Sequence, residues 1–493
     1  MADKIFRDPL YNYICIDKSR DGWLIDLLST PEVQRLRRIH QLGVSNLTYS
    51  GADHNRLAHS MGVLHLMQQV LNHLERTSDA EKIKTARMRL LAASLLHDVG
   101  HGPFSHLFEP CLNIKHEAWS VQAVRDESCQ IHQILRKQDG YLPEAVADLI
   151  TEKSTKPPPW QKALLSSQLD VDRLDYLRRD SLFTGAGYGH FDWFRLLTTI
   201  EFHDGDDLIW PEKSALAIEE YIFSRFYMYR NVYHHKTTRG FEQILQAMWR
   251  RAGELRTAGS DVKPVPVLKE FWKVDQPSPA KLPMRAYLDV EEFVVLSQIH
   301  TWKNHRDKAL ADLARRFLDR DGLAMIEPPP PADPLTNDYS EWEAAVKEVL
   351  GKAGYSAPEA YCLRDTVVGK YLQPYKPEQG MDLQTAANSI RIDVPGCRPI
   401  EVSEYLPRLG AVTKLPPDQV RYYVPQEVRS QVQKLTKEWH ASAPASSAAA
   451  LPSGGAASVA SPRSRSARSG AAPRARRRAR RSNRSAQGKR KRS

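Results

Sequence analysis

The chain has 493 residues, of which 41% are hydrophobic and 26% charged, a composition typical of a globular protein with a large buried core. Its apolar runs fall far short of the ~20 residues that cross a bilayer, and its N-terminus lacks the apolar stretch of a secretory signal, so no membrane partner is expected. Five cysteines without a CxxC pair argue against a disulfide framework or a cysteine-built zinc site, and they favour the cytoplasm, or the nucleus in a eukaryote.

The formal net charge of +11 is concentrated at the C-terminal end. Residues 462–493 hold 14 of the 70 Lys and Arg and no Asp or Glu, which leaves 56 basic against 59 acidic residues elsewhere. From residue 441 onward Ala, Ser, Pro, Gly and Arg dominate, and such a segment cannot bury enough apolar surface to fold. We therefore expect a disordered basic tail over 441–493, which would bind nucleic acid, act as a nuclear import address or simply aid solubility.

Helical periodicity dominates the chain before this tail. Apolar residues spaced three and four apart predict helices over residues 62–74, 84–96, 171–179, 216–255, 290–301, 307–318 and 340–350. Short extended segments are expected at 389–394 and 420–424. The expected fold class is mainly α, with a helical bundle over residues 1–326. A smaller mixed α+β region over 332–438 would pack on the bundle or form an oligomer interface.

The segment from Leu95 to His106 reads L-L-H-D-V-G-H-G-P-F-S-H and ends the second predicted helix. Glycine and proline after Asp98 must break that helix, so three histidines and a carboxylate gather at one helix end. Such crowding indicates a metal or an anion, because buried charged groups are usually paired or coordinated. His97 and Asp98 offer ligands suited to Fe, Mn, Zn or Ni, and Asp also tolerates Mg.

Adjacent helix residues point about 100° apart, so further ligands of one or two metal ions must come from elsewhere in the chain. Candidates lie in the segments 54–60 and 168–180. The second reads Q-L-D-V-D-R-L-D-Y-L-R-R-D, and it places Asp172, Asp175 or Tyr176, and Arg179 or Asp180 at helical spacing. One helix face would therefore present carboxylates and a phenol together.

A cationic and aromatic stripe is predicted further along. Arg225, Tyr229, Tyr233 and Lys236 are offset by four, eight and eleven residues, and would share one side of a continuous helix. Guanidinium groups suit phosphate oxygens and a ring suits a base, so the stripe is what a nucleoside triphosphate requires. The alternative is an amphipathic core helix with charged ends that reach solvent.

Several motifs, in a fixed order, resemble the HD-domain metal-dependent phosphohydrolases, in particular their deoxynucleoside triphosphate (dNTP) triphosphohydrolase branch. They are D-P (8–9), T-P-E-V-Q-R-L-R-R-I-H-Q-L-G (30–43), H-N-R-L-A-H-S-M-G-V (54–63), H-D-V-G-H-G-P-F-S-H (97–106), H-E (116–117) and D-V-D-R-L-D-Y-L-R-R-D (170–180). The resemblance implies an HD-domain helical bundle and an enzyme that releases deoxynucleoside and triphosphate. It also implies a homo-oligomer, a dimer or tetramer, with a function in dNTP-pool control or in antiviral or antiphage defence.

The resemblance also implies roles for single residues. The metal ligands would be His59, His97, Asp98 and Asp172. The groups near the scissile phosphate, with the first two as proton carriers, would be His101, His116, His106 and Glu117. Phosphates would be held by Arg56, Arg173 and Arg225, although the family more often has Lys at position 173. The 3′-hydroxyl would be read by Gln41, Tyr176 and Asp180, a 2′-hydroxyl would be crowded by Leu42, and the base or sugar would contact Tyr233.

A nucleotide effector is a further expectation. Positions of the family's effector site are matched by Lys4, Ile5, Arg37 and Lys236, whereas Ser29 stands where an acidic residue would recognise guanine. Two other functions stay open on the sequence. One is an HD hydrolase of another phosphoester, such as a nucleoside monophosphate, a cyclic dinucleotide or (p)ppGpp, and the other is a nucleic-acid-binding protein that uses the basic tail.

Overall fold

A computed structural model of the chain describes residues 3–107, 109, 115–151, 153–274, 277–331, 338–377, 389–414, 416 and 418–442. Helices account for most of these residues, which confirms the predicted fold class. Ala441 and Ser442 belong to the last helix, and the rest of the predicted tail lies outside the described residues. No described helix is long and apolar enough to cross a membrane.

The chain begins with an antiparallel hairpin of strands β1 (Lys4–Asp8) and β2 (Asn12–Ile16). The Asp8 carboxylate closes its turn by accepting the backbone N–H groups of Leu10 at 2.8 Å and Tyr11 at 3.0 Å, the usual behaviour of Asp in turns. Two short helices follow, α1 (Trp23–Leu28) and α2 (Pro31–Gln34).

The two longest helices before the site are α3 (Arg56–Thr77) and α4 (Ala80–Leu96), which pack along each other. Asn55 caps α3 by accepting the N–H of Ala58 at 3.1 Å, and Asp79 caps α4 in the same manner. The faces that meet are lined by buried Leu, Val, Ile and Ala. Both helices therefore hold their ends at fixed positions in the core.

Shorter helices complete the bundle around this pair. They are α5 (His116–Arg125), α6 (Gln130–Gln138), α7 (Leu142–Ile150), α8 (Pro159–Leu165), α9 (Val171–Thr184) and α10 (Trp193–Thr198). Strands β3 (Glu201–His203) and β4 (Asp207–Pro211) then form a second hairpin.

The prediction of one continuous helix over residues 216–255 is wrong. It divides into α11 (Ala215–Met228) and α12 (Lys236–Thr257), separated by a π-helical turn at Tyr229–Tyr233. His235 then caps α12, since its Nδ1 accepts the N–H of Thr237 at 3.2 Å. A π turn inserts an extra residue into the helical repeat, so Lys236 leaves the predicted stripe and begins a new helix.

The remaining elements include two small sheets that join distant parts of the chain. In chain order they are α13 (Lys269–Lys273), α14 (Met284–Leu288), α15 (Glu292–Trp302), α16 (Lys308–Leu318), β5 (Ala324–Ile326), α17 (Ser340–Lys352), β6 (Leu363–Val367), α18 (Gly369–Leu372), β7 (Arg391–Asp393), β8 (Ile400–Glu401), α19 (Val402–Tyr405), β9 (Gln419–Val424) and α20 (Arg429–Ser442). The sheets run β3-β4-β7-β8 and β5-β9-β6. Each combines strands from before and after residue 332, so the C-terminal region packs on the helical bundle.

Candidate active site

The four predicted metal ligands form one cluster. His59 lies in the first turn of α3, His97 and Asp98 follow the end of α4, and Asp172 lies in the first turn of α9. The first three each offer a ligand atom, and these atoms lie within 4.8 Å of one another. Oδ1 of Asp172 lies 3.0 Å from Nε2 of His59 and 3.6 Å from Nε2 of His97. Three helix ends thus converge on one point.

Outer hydrogen bonds aim both imidazole rings into the cluster. Nδ1 of His97 bonds the carbonyl oxygen of Ser94 at 3.0 Å, and Nδ1 of His59 bonds Oδ2 of Asp175 at 2.8 Å, so each Nε2 is aimed at the carboxylates and is the nitrogen that would bind a metal. The buried Nε2 of His97 has no hydrogen-bond partner among the described residues. An acceptor nitrogen without a donor, beside two carboxylates, needs a cation. The donor set therefore fits a divalent metal.

The carboxylates are in the charge state that metal ligands require. Burial raises the pKa of Asp172, but the nearby imidazole rings of His59 and His97 more than offset it and hold the pKa below its usual range. Burial also raises the pKa of Asp98, but the charges of His97 and Arg56 outweigh it and hold the pKa well below its usual range. Burial lowers the pKa of His59, yet hydrogen bonds with Asp172 and Asp175 raise it to about 10. Both carboxylates are ionised at neutral pH.

Arg56, one of the three predicted phosphate ligands, is turned toward the cluster. Its guanidinium pairs with Asp98, and its Nε donates to Oγ of Ser105 at 2.8 Å. Ser105 and its neighbour Phe104 both have left-handed backbone, with φ of 57° and 55°, a costly conformation for residues other than glycine. This strained turn holds Arg56 against a ligand carboxylate, and its role as a phosphate ligand stays a prediction.

A second cluster lies beside the first and contains the predicted catalytic histidines. Oε1 of Glu109 accepts from Nδ1 of His116 at 2.5 Å and lies 3.3 Å from Nδ1 of His106. The ring of His101 stacks on that of His116 with centroids 3.7 Å apart. Ligand atoms of these four residues lie within 4.8 Å of one another, and Oε1 of Glu117 lies 3.7 Å from Nε2 of His116. The structure thus brings the predicted catalytic residues together.

Glu109 was not predicted from the sequence. Its i,i+3 spacing from His106 was the available signal. Burial raises the pKa of Glu109, but hydrogen bonds with His106 and His116 lower it to about 2. Burial and the charge of Arg56 lower the pKa of His101 well below its usual range. At neutral pH Glu109 is therefore an anionic carboxylate and His101 a neutral imidazole.

Asp180 anchors the predicted sugar-binding residues. The hydroxyl of Tyr233 donates to its Oδ2 at 2.8 Å, and Nε2 of His54 lies 2.7 Å from its Oδ1. The carbonyl oxygen of His54 in turn accepts the backbone N–H of Gln41 at 2.9 Å, and the ring of Tyr176 lies 6.2 Å from that of Tyr233. No separate role was predicted for His54, although it links these residues.

The turn after Gln41 ties this group to the metal cluster. Leu42 is half-buried against the core, and Gly43 follows with φ of 53°. A Cβ atom at Gly43 would lie 2.9 Å from the carbonyl oxygen of Phe104. Oγ of Ser105 also donates to the carbonyl oxygen of His40 at 2.8 Å and lies 3.4 Å from that of Gln41. The strained turn at Phe104 and Ser105 thus contacts the predicted sugar-binding segment directly.

Two half-buried arginines, Arg173 and Arg225, carry an unbalanced positive charge. Arg173 pairs with Asp170, whereas Nη1 of Arg225 donates to the carbonyl oxygen of Pro374 at 2.6 Å. Neither buried Nε has a hydrogen-bond partner among the described residues. The guanidinium of Arg225 lies 5.4 Å from the ring centre of Tyr229. Two half-buried guanidinium groups with one carboxylate between them favour the binding of an anion.

Two of the four predicted effector residues line a common cavity. Lys4 and Arg37 line a cavity of about 410 Å³, together with Ser29. Ile5 alternates to the other face of β1 and is 56% exposed, while Lys236 is exposed at the start of α12. Among the described residues that line the cavity, neither of these two is found.

Comparison with known proteins matches this geometry. The HD domain matches residues 56–180, which contain all four clustered ligands, and the HD associated region matches residues 191–271. The protein YwfO of Bacillus subtilis is 37% identical over 325 residues, which cover 66% of this chain and 72% of YwfO. The chain belongs to the HD-domain phosphohydrolase family.

Further relatives confirm that this HD phosphohydrolase is similar to the dNTP triphosphohydrolase branch. Deoxynucleoside triphosphate triphosphohydrolase SAMHD1 of Gallus gallus is 28% identical over 283 residues, which are 50% of this chain and 45% of the chicken protein. The crystal structure of a phosphohydrolase from Bacteroides thetaiotaomicron has a TM-score of 0.70 and 26% identity, and it covers 86% of this chain and 99% of the other. The predicted family is confirmed, and the chain is an HD-type hydrolase.

Proposed function

We propose that this HD phosphohydrolase hydrolyses dNTPs to deoxynucleoside and triphosphate. The observation that carries the proposal is the face of α9. Asp172, Tyr176 and Asp180 follow at intervals of four residues, so the helix leads from the metal cluster to the pair of Asp180 and Tyr233 over about 12 Å. A phosphate site and a sugar site would thus lie along one helix. The similarity to SAMHD1 supports a dNTP as the substrate.

Unpartnered groups around α9 correspond to parts of such a substrate. The unpaired Nε atoms of Arg173 and Arg225 are buried donors for phosphate oxygens. Oε1 of Gln41 is a buried acceptor without a hydrogen-bond partner in the described part of the chain, and a sugar hydroxyl would donate to it. Leu42 beside it would exclude a 2′-hydroxyl. Substrate binding would give each of these buried polar atoms a hydrogen-bond partner and so remove the free-energy cost of leaving it unsatisfied.

The proposed reaction adds water to the α-phosphorus and releases the 5′-oxygen of the deoxynucleoside. A divalent metal held by His59, His97, Asp98 and Asp172 would supply a Lewis acid that offsets phosphate charge and acidifies water. His101, whose Nε2 lies 3.3 Å from Oδ1 of Asp98, would take the proton from water that the metal has acidified. His116, held by Glu109, donates a proton to the departing 5′-oxygen.

We also propose a nucleotide effector site and a homo-oligomer. The cavity lined by Lys4 and Arg37 has two basic side chains for the phosphates of a nucleotide effector, and Ser29 offers it no carboxylate for a guanine. A homo-oligomer, dimer or tetramer, is proposed from the family. A cytoplasmic or nuclear enzyme of this kind would act in control of the dNTP pool or in defence against viruses or phages.

A substrate panel tests the proposal. The full chain with Mn²⁺ is incubated with each dNTP, each ribonucleotide, nucleoside monophosphates, a cyclic dinucleotide and ppGpp, and the products are separated. Triphosphate from dNTPs is expected, and pyrophosphate or orthophosphate would refute it. Turnover of another phosphoester alone would favour the second HD function.

The same assay tests the metal cluster with a matched control. His97→Ala with Asp98→Ala should abolish turnover and lower bound metal. His203→Ala with Asp204→Ala removes another adjacent His-Asp pair, at the turn between β3 and β4, and should change neither. Equal turnover in both double variants would contradict the site.

A further inference from the structure

The N-terminal hairpin contacts the carboxylate of Asp175, which bonds a residue of the metal cluster. Asp175 bonds Nδ1 of His59 through Oδ2, and its Oδ1 accepts the hydroxyl of Tyr11 at 2.8 Å. Tyr11 lies in the turn between β1 and β2, 164 residues from Asp175 in sequence. A ligand of the metal cluster and a residue of the hairpin therefore share one buried acceptor group.

The same turn holds the other partner of Asp175. Arg179 donates to both oxygens of Asp175, from Nε at 2.9 Å and Nη2 at 3.0 Å. Its Nη1 also donates to Oδ2 of Asp8 at 2.9 Å, and Asp8 closes the hairpin turn. Arg179 and Asp175 are fully buried. The hairpin turn thus contacts both members of this ion pair, one through Asp8 and the other through Tyr11.

Helix α3 also packs closely against Asp175. Gly62 lies one turn after His59, and a Cβ atom at that position would lie 1.9 Å from Oδ1 of Asp175 and 2.5 Å from Nη2 of Arg179. Only a glycine admits so close an approach. Oδ1 of Asp175 is therefore enclosed by both α3 and Tyr11.

We propose that Tyr11 is a positioning residue, whose hydroxyl fixes the Asp175 carboxylate that orients His59, so that the N-terminal hairpin sets the metal affinity of the HD site. Partners of this kind orient a ligating imidazole and raise its basicity. Without the hydroxyl, Arg179 is the one hydrogen-bond partner that Oδ1 of Asp175 keeps among the described residues, and the carboxylate gains freedom to rotate away from His59. The inference rests on the metal centre of the proposed function and not on its substrate.

Mn²⁺ affinity of the full chain tests this proposal, with Tyr11→Phe compared with Tyr13→Phe. Tyr13 lies on the same hairpin with its ring against Arg7 and is 42% exposed, so both changes remove one phenolic hydroxyl. Tyr11→Phe should weaken Mn²⁺ binding roughly 3- to 10-fold, and Tyr13→Phe should leave it unchanged. Equal dissociation constants for both variants and the native chain would overturn the proposal.

A double-mutant cycle separates positioning from a general weakening of the hairpin. If Tyr11 acts through Asp175, then Tyr11→Phe has no further effect on Mn²⁺ affinity in a chain that carries Asp175→Asn. Additive losses would contradict that route. The rise in Tm on adding saturating Mn²⁺ is a second readout that each folded variant permits. It should be smaller for Tyr11→Phe than for Tyr13→Phe, and equal rises would also count against the proposal.

The outcome is distinguishable from that of the proposed function. A native chain that binds Mn²⁺ but leaves every dNTP intact would refute dNTP hydrolysis while the comparison of Tyr11→Phe with Tyr13→Phe stays informative. A native chain that hydrolyses dNTPs, with unchanged Mn²⁺ affinity in Tyr11→Phe, would refute the positioning role alone.

Discussion

Gly62→Ala should destabilise the protein, although alanine is the better helix former. Gly62 lies inside α3, where the exchange alone would stabilise the helix by about 0.5–1 kcal/mol. The new Cβ would lie 1.9 Å from Oδ1 of Asp175, far inside van der Waals contact, so the buried pair of Asp175 and Arg179 must move. Overpacking of a core typically costs about 1–3 kcal/mol. We expect a net loss of about 1–2 kcal/mol and a fall of about 10- to 100-fold in metal affinity.

Gly253→Ala is the matched control. Gly253 also lies inside a long helix, α12, and a Cβ atom there would meet nothing within 4 Å. Urea unfolding in EDTA should therefore show opposite signs, with Gly253→Ala more stable than the native chain and Gly62→Ala less stable. Mn²⁺ titration should show a loss for Gly62→Ala only. Two variants that are equally stabilised would refute the close packing of Asp175 against α3.

Three further predictions concern other parts of the molecule. Burial, opposed by Arg239, raises the pKa of Glu242 to about 7 from 4.5, so the folded state keeps a proton that the unfolded chain releases, and stability should fall as pH rises between these values. Glu242→Gln should remove that slope from urea unfolding at pH 4.5 to 7.5, and an unchanged slope would contradict it. Asp180→Asn weakens the partner of Tyr233 and should lower kcat/KM for dNTPs about 10- to 100-fold with normal Mn²⁺ affinity, whereas an unchanged kcat/KM would exclude a role in binding the sugar. A chain that ends at Ser442 should lose salt-dependent nucleic-acid binding and keep hydrolysis, and binding that survives would place the contact elsewhere.

The helices were predictable because their signals are local, and the four candidate metal ligands because they lie in motifs that resemble a known family. Asn55 and Asp79 are helix caps, and the glycine after His97, Asp98 and Val99 ends α4 at the predicted place. The start of α3 lies six residues before the predicted start at residue 62, since the cap at Asn55 acts before the apolar periodicity begins. Metal ligands at helix ends converge once these ends are fixed.

The remaining features depend on contacts through space that no local pattern encodes. The π turn at Tyr229–Tyr233 interrupts an apolar periodicity that continues on both sides, so spacing alone predicted one helix. Glu109 had a local signal in its i,i+3 spacing from His106. His54 and Tyr11 take their roles from partners in distant segments, and Tyr11 meets Asp175 only after the hairpin packs on α9. The predicted boundary between residues 326 and 332 stays a prediction, and strands from both sides of it share two sheets.

The position of the oxygen label after hydrolysis in ¹⁸O-labelled water tests the proposed reaction most directly. The native chain with Mn²⁺ and a dNTP should place one ¹⁸O atom in triphosphate and none in the deoxynucleoside, because water attacks the α-phosphorus and the 5′-oxygen leaves with the sugar. Label in pyrophosphate or orthophosphate, or in the 5′-hydroxyl of the deoxynucleoside, would contradict the proposed reaction.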